Sequence, residues 1–232
     1  YDFLIVGAGL VGSLAAIALH QKKFNVLVIE KNKILPNDKR TLAVNANSRD
    51  FLKNLGIWKE LKSNFESIDK IMIKDYVNEE GLIFQNAAES MGSVVFNSSL
   101  LKISRNYLKK NKILLTGIDF KLSNHNPKTI VSINSKKYFF NKVIISVGKN
   151  FENSEKFKKD VFDLGHQAYV GFFNHQKNHY QTAYEVFTPK GPLAVLPSPS
   201  KQKKSSTFIF STKNEVNFKI LSKLIKKNFY SS

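Results

Sequence analysis

Phe3-Leu4-Ile5-Val6-Gly7-Ala8-Gly9-Leu10-Val11-Gly12, carried on through Ala16 and Leu19 to a second apolar run from Asn25 to Ile29 and then Glu30, decides the fold. The first four residues are apolar without a break and end on glycine, the pattern of a strand covered on both faces of a parallel sheet. Gly7 to Gly12 is a G-x-G-x-x-G segment, and Ala16 and Leu19 follow at helical spacing. The stretch reads as strand, glycine turn, helix and second parallel strand, which predicts an α/β fold of the Rossmann-like kind.

Each glycine has a task if such a turn meets a dinucleotide. Gly7 permits the tight turn out of the strand, Gly9 removes the Cβ that would hold the backbone away from a pyrophosphate, and Gly12 lets the helix pack closely on the sheet. The amides of Gly9, Leu10, Val11 and Gly12 converge with the positive end of the helix dipole, a place suited to an anion. Glu30 follows Gly12 by 18 residues. At the tip of the second strand its carboxylate can accept hydrogen bonds from ribose hydroxyls and would repel a 2′-phosphate. The competing reading is a glycine-rich turn in an unrelated β-α unit. The strand before, the helix after and the spacing to Glu30 favour the dinucleotide site. These residues alone do not separate FAD from NAD.

The chain has 232 residues, enough for one large or two small domains, and 42% hydrophobic residues with 19 Phe describe a packed protein. The absence of cysteine excludes disulfides, thiolate zinc sites and cysteine nucleophiles, and permits a reducing cytoplasm. Phe3 to Leu19 has no basic residues ahead of it and is seeded with glycine, so it reads as strand plus helix in preference to a signal peptide or membrane span. A formal net charge of +18 invites an anionic partner. The lysines, however, are scattered among Asn, Ile and Phe with no nucleic-acid-binding motif beside them, so no nucleic acid is expected as a partner.

Further along, Asn47 to Lys62 carries Phe51, Leu52, Leu55 and Leu61 at near-helical spacing with a break at Gly56, and Ile68 to Lys74 alternates as one strand. Gly92 to Lys110 predicts a strand running into a helix. Lys112 to Leu115, Thr129 to Asn134, Lys137 to Phe140 and Lys142 to Val147 predict short strands. Ala168 to Phe173, Thr182 to Thr188, Pro192 to Leu196 and Thr207 to Ser211 predict an antiparallel sheet, followed by a basic amphipathic helix from about Asn214. The expected division is a nucleotide domain over 1–66 and 91–158 interleaved with a mainly antiparallel β-sheet domain over 67–90 and 159–232.

Asp2 to Gly12, Ala16, Leu19 and Glu30 resemble the amino-terminal FAD motif of the flavin-dependent aromatic hydroxylases related to p-hydroxybenzoate hydroxylase. Arg40-Thr41-Leu42-Ala43, Ser48, Leu52 and Leu55-Gly56-Ile57-Trp58 are similar to the ubiquinone-biosynthesis branch of that family, as are Val95-Phe96-Asn97 and Leu100. His179, Ala183 to Phe187 and Gly191 to Pro197 resemble most specifically the sheet-domain signature of its polyprenyl-phenol hydroxylases.

The resemblance implies a ββα-type FAD-binding domain interleaved with a substrate domain. It implies an FAD-dependent monooxygenase that uses O2 to hydroxylate a polyprenylated phenol in ubiquinone biosynthesis, with NAD(P)H as transient reductant. Gly7, Gly9, Leu10, Val11, Gly12 and Glu30 are implied as cofactor-binding residues, joined by Arg40, whose family counterpart lies near the flavin. No catalytic side chain and no metal ligand is implied. Polyprenyl-phenol and O2 are the implied partners in a cytoplasmic setting, with peripheral contact to the inner membrane and to a ubiquinone-biosynthesis complex left open. Two departures bear on this. Asn150 and Phe151 stand where the family has an Asp-Gly pair implicated in handling flavin and reduced nicotinamide. The chain also ends at Ser232 ahead of the family's Gly-Asp motif, so a fragment or truncated gene product is expected. The competing readings are a flavin oxidase or reductase on the same fold and a non-catalytic flavin-binding accessory protein or remnant. His175 and His179 stand four apart, but in a strand-and-turn region with no carboxylate between them, which argues against zinc.

Overall fold

The computed structural model describes residues 1–232 other than 37, 77–80, 87, 119–128, 134–135, 149–157, 159, 201–202, 214 and 230–232. Asn150 and Phe151 thus lie outside the described residues. In chain order the elements are β1 (Phe3–Val6), α1 (Leu10–Gln21), β2 (Val26–Glu30), β3 (Thr41–Asn45), α2 (Ala46–Asn54), α3 (Ile57–Glu60), β4 (Phe65–Ile68), β5 (Lys70–Asp75), β6 (Gly81–Gln85), β7 (Gly92–Phe96) and α4 (Asn97–Lys110). They continue with β8 (Leu114–Thr116), β9 (Thr129–Ile133), β10 (Lys136–Phe140), β11 (Lys142–Ile145), β12 (Gln167–Asn174), β13 (Thr182–Thr188), β14 (Gly191–Pro197), β15 (Ser205–Thr212) and α5 (Phe218–Asn228).

These elements form two compact units. The first comprises Tyr1–Asp38, Asn54–Glu60 and Asn97–Val161. Its four-stranded sheet has the order β11-β1-β2-β8 with every pair parallel. The middle strands are unbroken apolar runs because both faces are covered, and Leu4, Ile5 and Val26 to Ile29 are all buried. α1 turns a narrow face of Gly12, Ser13, Ala16 and Ile17 inward, small residues that allow close approach. α4 buries Leu100, Leu101, Ser104, Arg105 and Leu108. The β9–β10 hairpin adds Phe140 to Leu4, Leu27 and Ile29.

The second unit comprises Lys39–Lys53, Leu61–Phe96 and Phe162–Ser232. It holds a six-stranded sheet in the order β12-β15-β14-β13-β5-β6 and a three-stranded sheet in the order β3-β7-β4. The large sheet is antiparallel except where β13 lies parallel to β5. α5 sets Leu221 and Ile225, and its C-cap residue Phe229, against Val186, Leu193, Val195, Phe208 and Phe210. Asn217 caps it by accepting a hydrogen bond from the Ile220 amide at 3.0 Å.

Some elements differ from the sequence reading for physical reasons. Ile68 to Lys74 is not one strand: the chain turns at Asp69, whose amide donates to Gln181 O at 2.9 Å, so that β4 and β5 serve different sheets. β8 starts at Leu114 and not at Lys112, because Lys112 takes φ +56° to close α4. α5 begins at Phe218, behind its Asn217 cap, and not near Asn214. β3 and β6 were not expected; each is an edge strand specified by its long-range partner, β7 and β5 respectively.

Candidate functional site

The turn between β1 and α1 requires glycine at two points. Gly7 has φ +99°, and a Cβ there would lie 2.6 Å from Ser146 O. A Cβ on Gly12 would lie 2.0 Å from Gly7 O. Gly9 differs, for nothing stands within 4 Å of where its Cβ would be, and its backbone is extended at φ −65°. Gly9 is the N-cap of α1, yet no side chain caps the helix and its first turn carries no acidic residue. The helical ladder begins with the Ser13 amide donating to Gly9 O at 2.9 Å. The amides of Leu10, Val11 and Gly12 therefore precede the ladder and, with the helix dipole, present positive charge beside the open side of Gly9. Val11 is 75% exposed there.

Glu30, at the end of β2, is buried and faces the same turn. Its Oε2 accepts the Ala8 amide at 2.8 Å and its Oε1 accepts the Asn32 amide at 2.9 Å. Arg105, on the inward face of α4, closes the arrangement. Its Nη2 lies 3.1 Å from Glu30 Oε2, and its Nε donates to Ala8 O at 2.8 Å. Ala8 O also accepts from the Ser13 hydroxyl at 3.1 Å. The Ala8 residue is thus held at both its N–H and its C=O. Burial pulls the Arg105 guanidinium below the usual arginine range while Glu30 opposes that shift, and an arginine in this setting remains charged. Each carboxylate oxygen can accept two hydrogen bonds, so Glu30 Oε1 retains capacity for a ribose hydroxyl.

Gly7, Gly9, Leu10, Val11, Gly12 and Glu30 therefore gather at one turn of the first unit, whereas Arg40 is an exposed residue of the second unit immediately before β3. Arg105 escaped the sequence reading. Its signal was an arginine at a position where Leu101, Ser104 and Leu108 mark the buried face of a helix.

In the second unit, the His175 ring reaches Lys177 O and the Ser206 hydroxyl, while His179 is 1% exposed. Among the described residues no three His, Asp or Glu side chains converge as a metal site. No helix among them is long and apolar enough to cross a membrane.

The open cradle at Gly9, the uncapped helix start and the fixed carboxylate fit the pyrophosphate and ribose of a dinucleotide. Residues 1–109 match the FAD binding domain family. Along most of its length the chain is similar to a ubiquinone hydroxylase, UbiL, of Rhodospirillum rubrum, at 25% identity over 228 residues, covering 87% of this chain and 50% of that protein. It is similar also to the mitochondrial ubiquinone biosynthesis monooxygenase COQ6 of Caenorhabditis elegans, at 24% identity over 224 residues, covering 85% and 49%. The chain spans about half the length of these curated relatives. Among solved structures, CtdE in complex with FAD superposes with a TM-score of 0.68 at 17% identity over 94% of this chain and 60% of that one. FqzB gives a TM-score of 0.71 at 15% identity over 93% and 54%. These two likenesses establish the fold.

Proposed function

We propose that this chain, whose residues 1–109 match the FAD binding domain family and which is similar to ubiquinone hydroxylases over most of its length, forms part of an FAD-dependent monooxygenase that hydroxylates a polyprenylated phenol. The observation that carries the cofactor half of this reading is the open, uncapped helix start at Gly9 beside a Glu30 carboxylate locked in place by Arg105. Gly7, Gly9 and Gly12 shape the turn, the Leu10, Val11 and Gly12 amides receive the pyrophosphate, and Glu30 Oε1 accepts from the ribose. Arg40, which the resemblance implies as a cofactor residue, belongs to the same proposal. Bound FAD supplies the redox chemistry that moves one atom of O2 to the ring, with NAD(P)H as reductant. The protein's part is to bind, orient and keep water out.

The test uses the full-length protein. Its chromophore is released and identified, and a prenylated phenol is then turned over under ¹⁸O2. FAD release together with ¹⁸O in the product supports the reading. Substrate oxidation without ¹⁸O makes the protein an oxidase, and absence of flavin even when FAD is supplied removes the enzyme reading altogether.

Peripheral contact with an anionic membrane, and through it with a ubiquinone-biosynthesis complex, belongs to the same proposal. Lys219, Lys223 and Lys226 on α5 beside an 86%-exposed Phe218 support it, since each well-placed lysine adds about 1 kcal/mol at such a surface. Failure of the protein to pellet with anionic vesicles at low salt ends this part of the proposal.

A further inference from the structure

One row of side chains crosses all six strands of the large sheet. The register pairs Leu82 with Ile73, Ile73 with Glu185, Glu185 with Ala194, Ala194 with Ile209, and Ile209 with Val170. Directly paired residues point to the same face of a sheet, so this face presents five apolar side chains with one carboxylate near the middle. The opposite face is different in kind. There Val186, Leu193, Phe208 and Phe210 are buried under α5. On the Glu185 face the row stays open: Leu82 is 64% and Val170 44% exposed at the rims, and the four residues between them are half-buried.

Glu185 is anomalous in that row. Among the described residues no hydrogen bond or ion pair reaches its carboxylate, and burial alone pushes the carboxyl above its ordinary value. A half-buried carboxylate in apolar surroundings is costly unless a donor reaches it. Phe187, two residues along the strand and so on the same face, is 54% exposed. The surface thus calls for an occupant with an apolar body and one hydrogen-bond donor.

We propose that Glu185 accepts the hydroxyl proton of the phenolic substrate in a hydrogen bond, with the substrate's ring and apolar tail lying along the Leu82–Val170 row. This rests on the hydroxylase reading and adds to it the residue that recognises the phenol. A hydrogen bond from the phenol to a carboxylate also draws the hydroxyl proton away from the ring oxygen, leaving the ring richer in electrons for attack by an electrophilic oxygen. Glu185 therefore both orients the ring and activates it.

The experiment uses the full-length protein loaded with FAD and two probes, 2-prenylphenol and its O-methyl ether, with binding read by equilibrium dialysis. The ether keeps the apolar body and lacks the donor. The wild-type protein is expected to prefer the phenol by about ten- to a hundredfold, the effect of one hydrogen bond to a charged group. E185L is expected to bring the two probes within about threefold by the same reasoning, with FAD binding retained as the control for folding. E185Q, which keeps shape and an acceptor, is expected to retain part of the preference and to lose its dependence on pH. A preference undiminished in FAD-loaded E185L overturns the proposal while leaving the hydroxylase reading intact. If the wild type holds FAD but binds neither probe and incorporates no ¹⁸O, the hydroxylase reading fails and this proposal with it. If an alkyl ammonium displaces the phenol and depends on Glu185 more strongly, the occupant is an amine and the assignment to a phenol is wrong.

Discussion

Arg105 Nη2 lies 3.1 Å from Glu30 Oε2, while Arg105 Nε donates to Ala8 O at 2.8 Å, and both side chains are almost wholly buried. The cofactor turn is thus built from three distant parts of the chain before any ligand arrives. Because Ala8 gives its N–H to Glu30 and its C=O to Arg105, the turn is fixed in the shape that exposes the next amides.

Removing one partner of this pair leaves the other charge buried. Arg105→Leu is expected to lower unfolding stability by about 3 to 5 kcal/mol, whereas the double variant R105L/E30Q loses less than R105L and E30Q summed. Denaturant unfolding of the full-length protein, without added FAD, measures both. An R105L loss below about 1 kcal/mol would show that the pair does not hold the turn.

Gly9 and Gly12 separate binding from folding. Gly9→Ala places its Cβ in open space with an ordinary backbone angle, so its cost is confined to the poorer N-cap that Ala makes, about 0.5 to 1 kcal/mol. That methyl group, however, stands where the pyrophosphate would approach, and FAD affinity falls. Gly12→Ala drives a Cβ into Gly7 O, and the backbone must move at a cost of about 1 to 3 kcal/mol or more. Thermal unfolding and flavin fluorescence titration of the two variants give the contrast. Equal losses of stability in both would remove the distinction.

The first thirty residues were legible because strand, turn, helix and carboxylate lie within one local pattern, and the unbroken apolar runs of β1 and β2 are themselves the mark of strands covered on both faces. Pairings over long distances were not. β13 lies parallel to β5, matching Thr182 to Lys70, and no periodicity in either segment carries that partner's address. Thr41 to Asn45 has strand composition, but it becomes β3 by pairing with β7, Thr41 against Phe96. The corner at Asp69 left only a faint trace, the two consecutive polar residues Asp69 and Lys70 between Ile68 and Ile71, because which sheet each half joins is set by distant partners. Arg105 was a missed site feature that nonetheless had a readable signal, a charge on a helix face otherwise composed of Leu and Ser.

Asn217 supplies the only side-chain cap of α5 among the described residues. Asn217→Ala is expected to cost about 1 kcal/mol, while Phe218→Ala, one residue on and 86% exposed, changes stability by about 0.5 kcal/mol or less. Urea unfolding compares them, and a larger effect at Phe218 would mean that α5 packs differently from its Leu221, Ile225 and Phe229 face.

The dependence of stability on pH turns on His179, which is 1% exposed and whose Nδ1 accepts the Gln181 amide at 3.1 Å. That bond puts the proton of the neutral ring on Nε2, which is buried without a partner among the described residues. Burial pushes the imidazole below its ordinary value, Glu66 opposes the shift, and Lys203 and His175 reinforce it. His175 is also lowered, chiefly by burial. With the folded value depressed, the unfolded chain binds the proton first as pH falls. Stability is therefore complete above the unfolded value of about 6.5 and declines as pH drops through it toward the folded one. Asn at position 179 can accept the amide two residues on, as imidazole Nδ1 does, and it does not titrate. The melting temperature of the wild type is expected to fall between about pH 7.5 and pH 5, and that of His179→Asn to fall less steeply, the remainder reflecting His175 and the carboxylates. Identical slopes would mean that His179 is not held neutral in the folded protein.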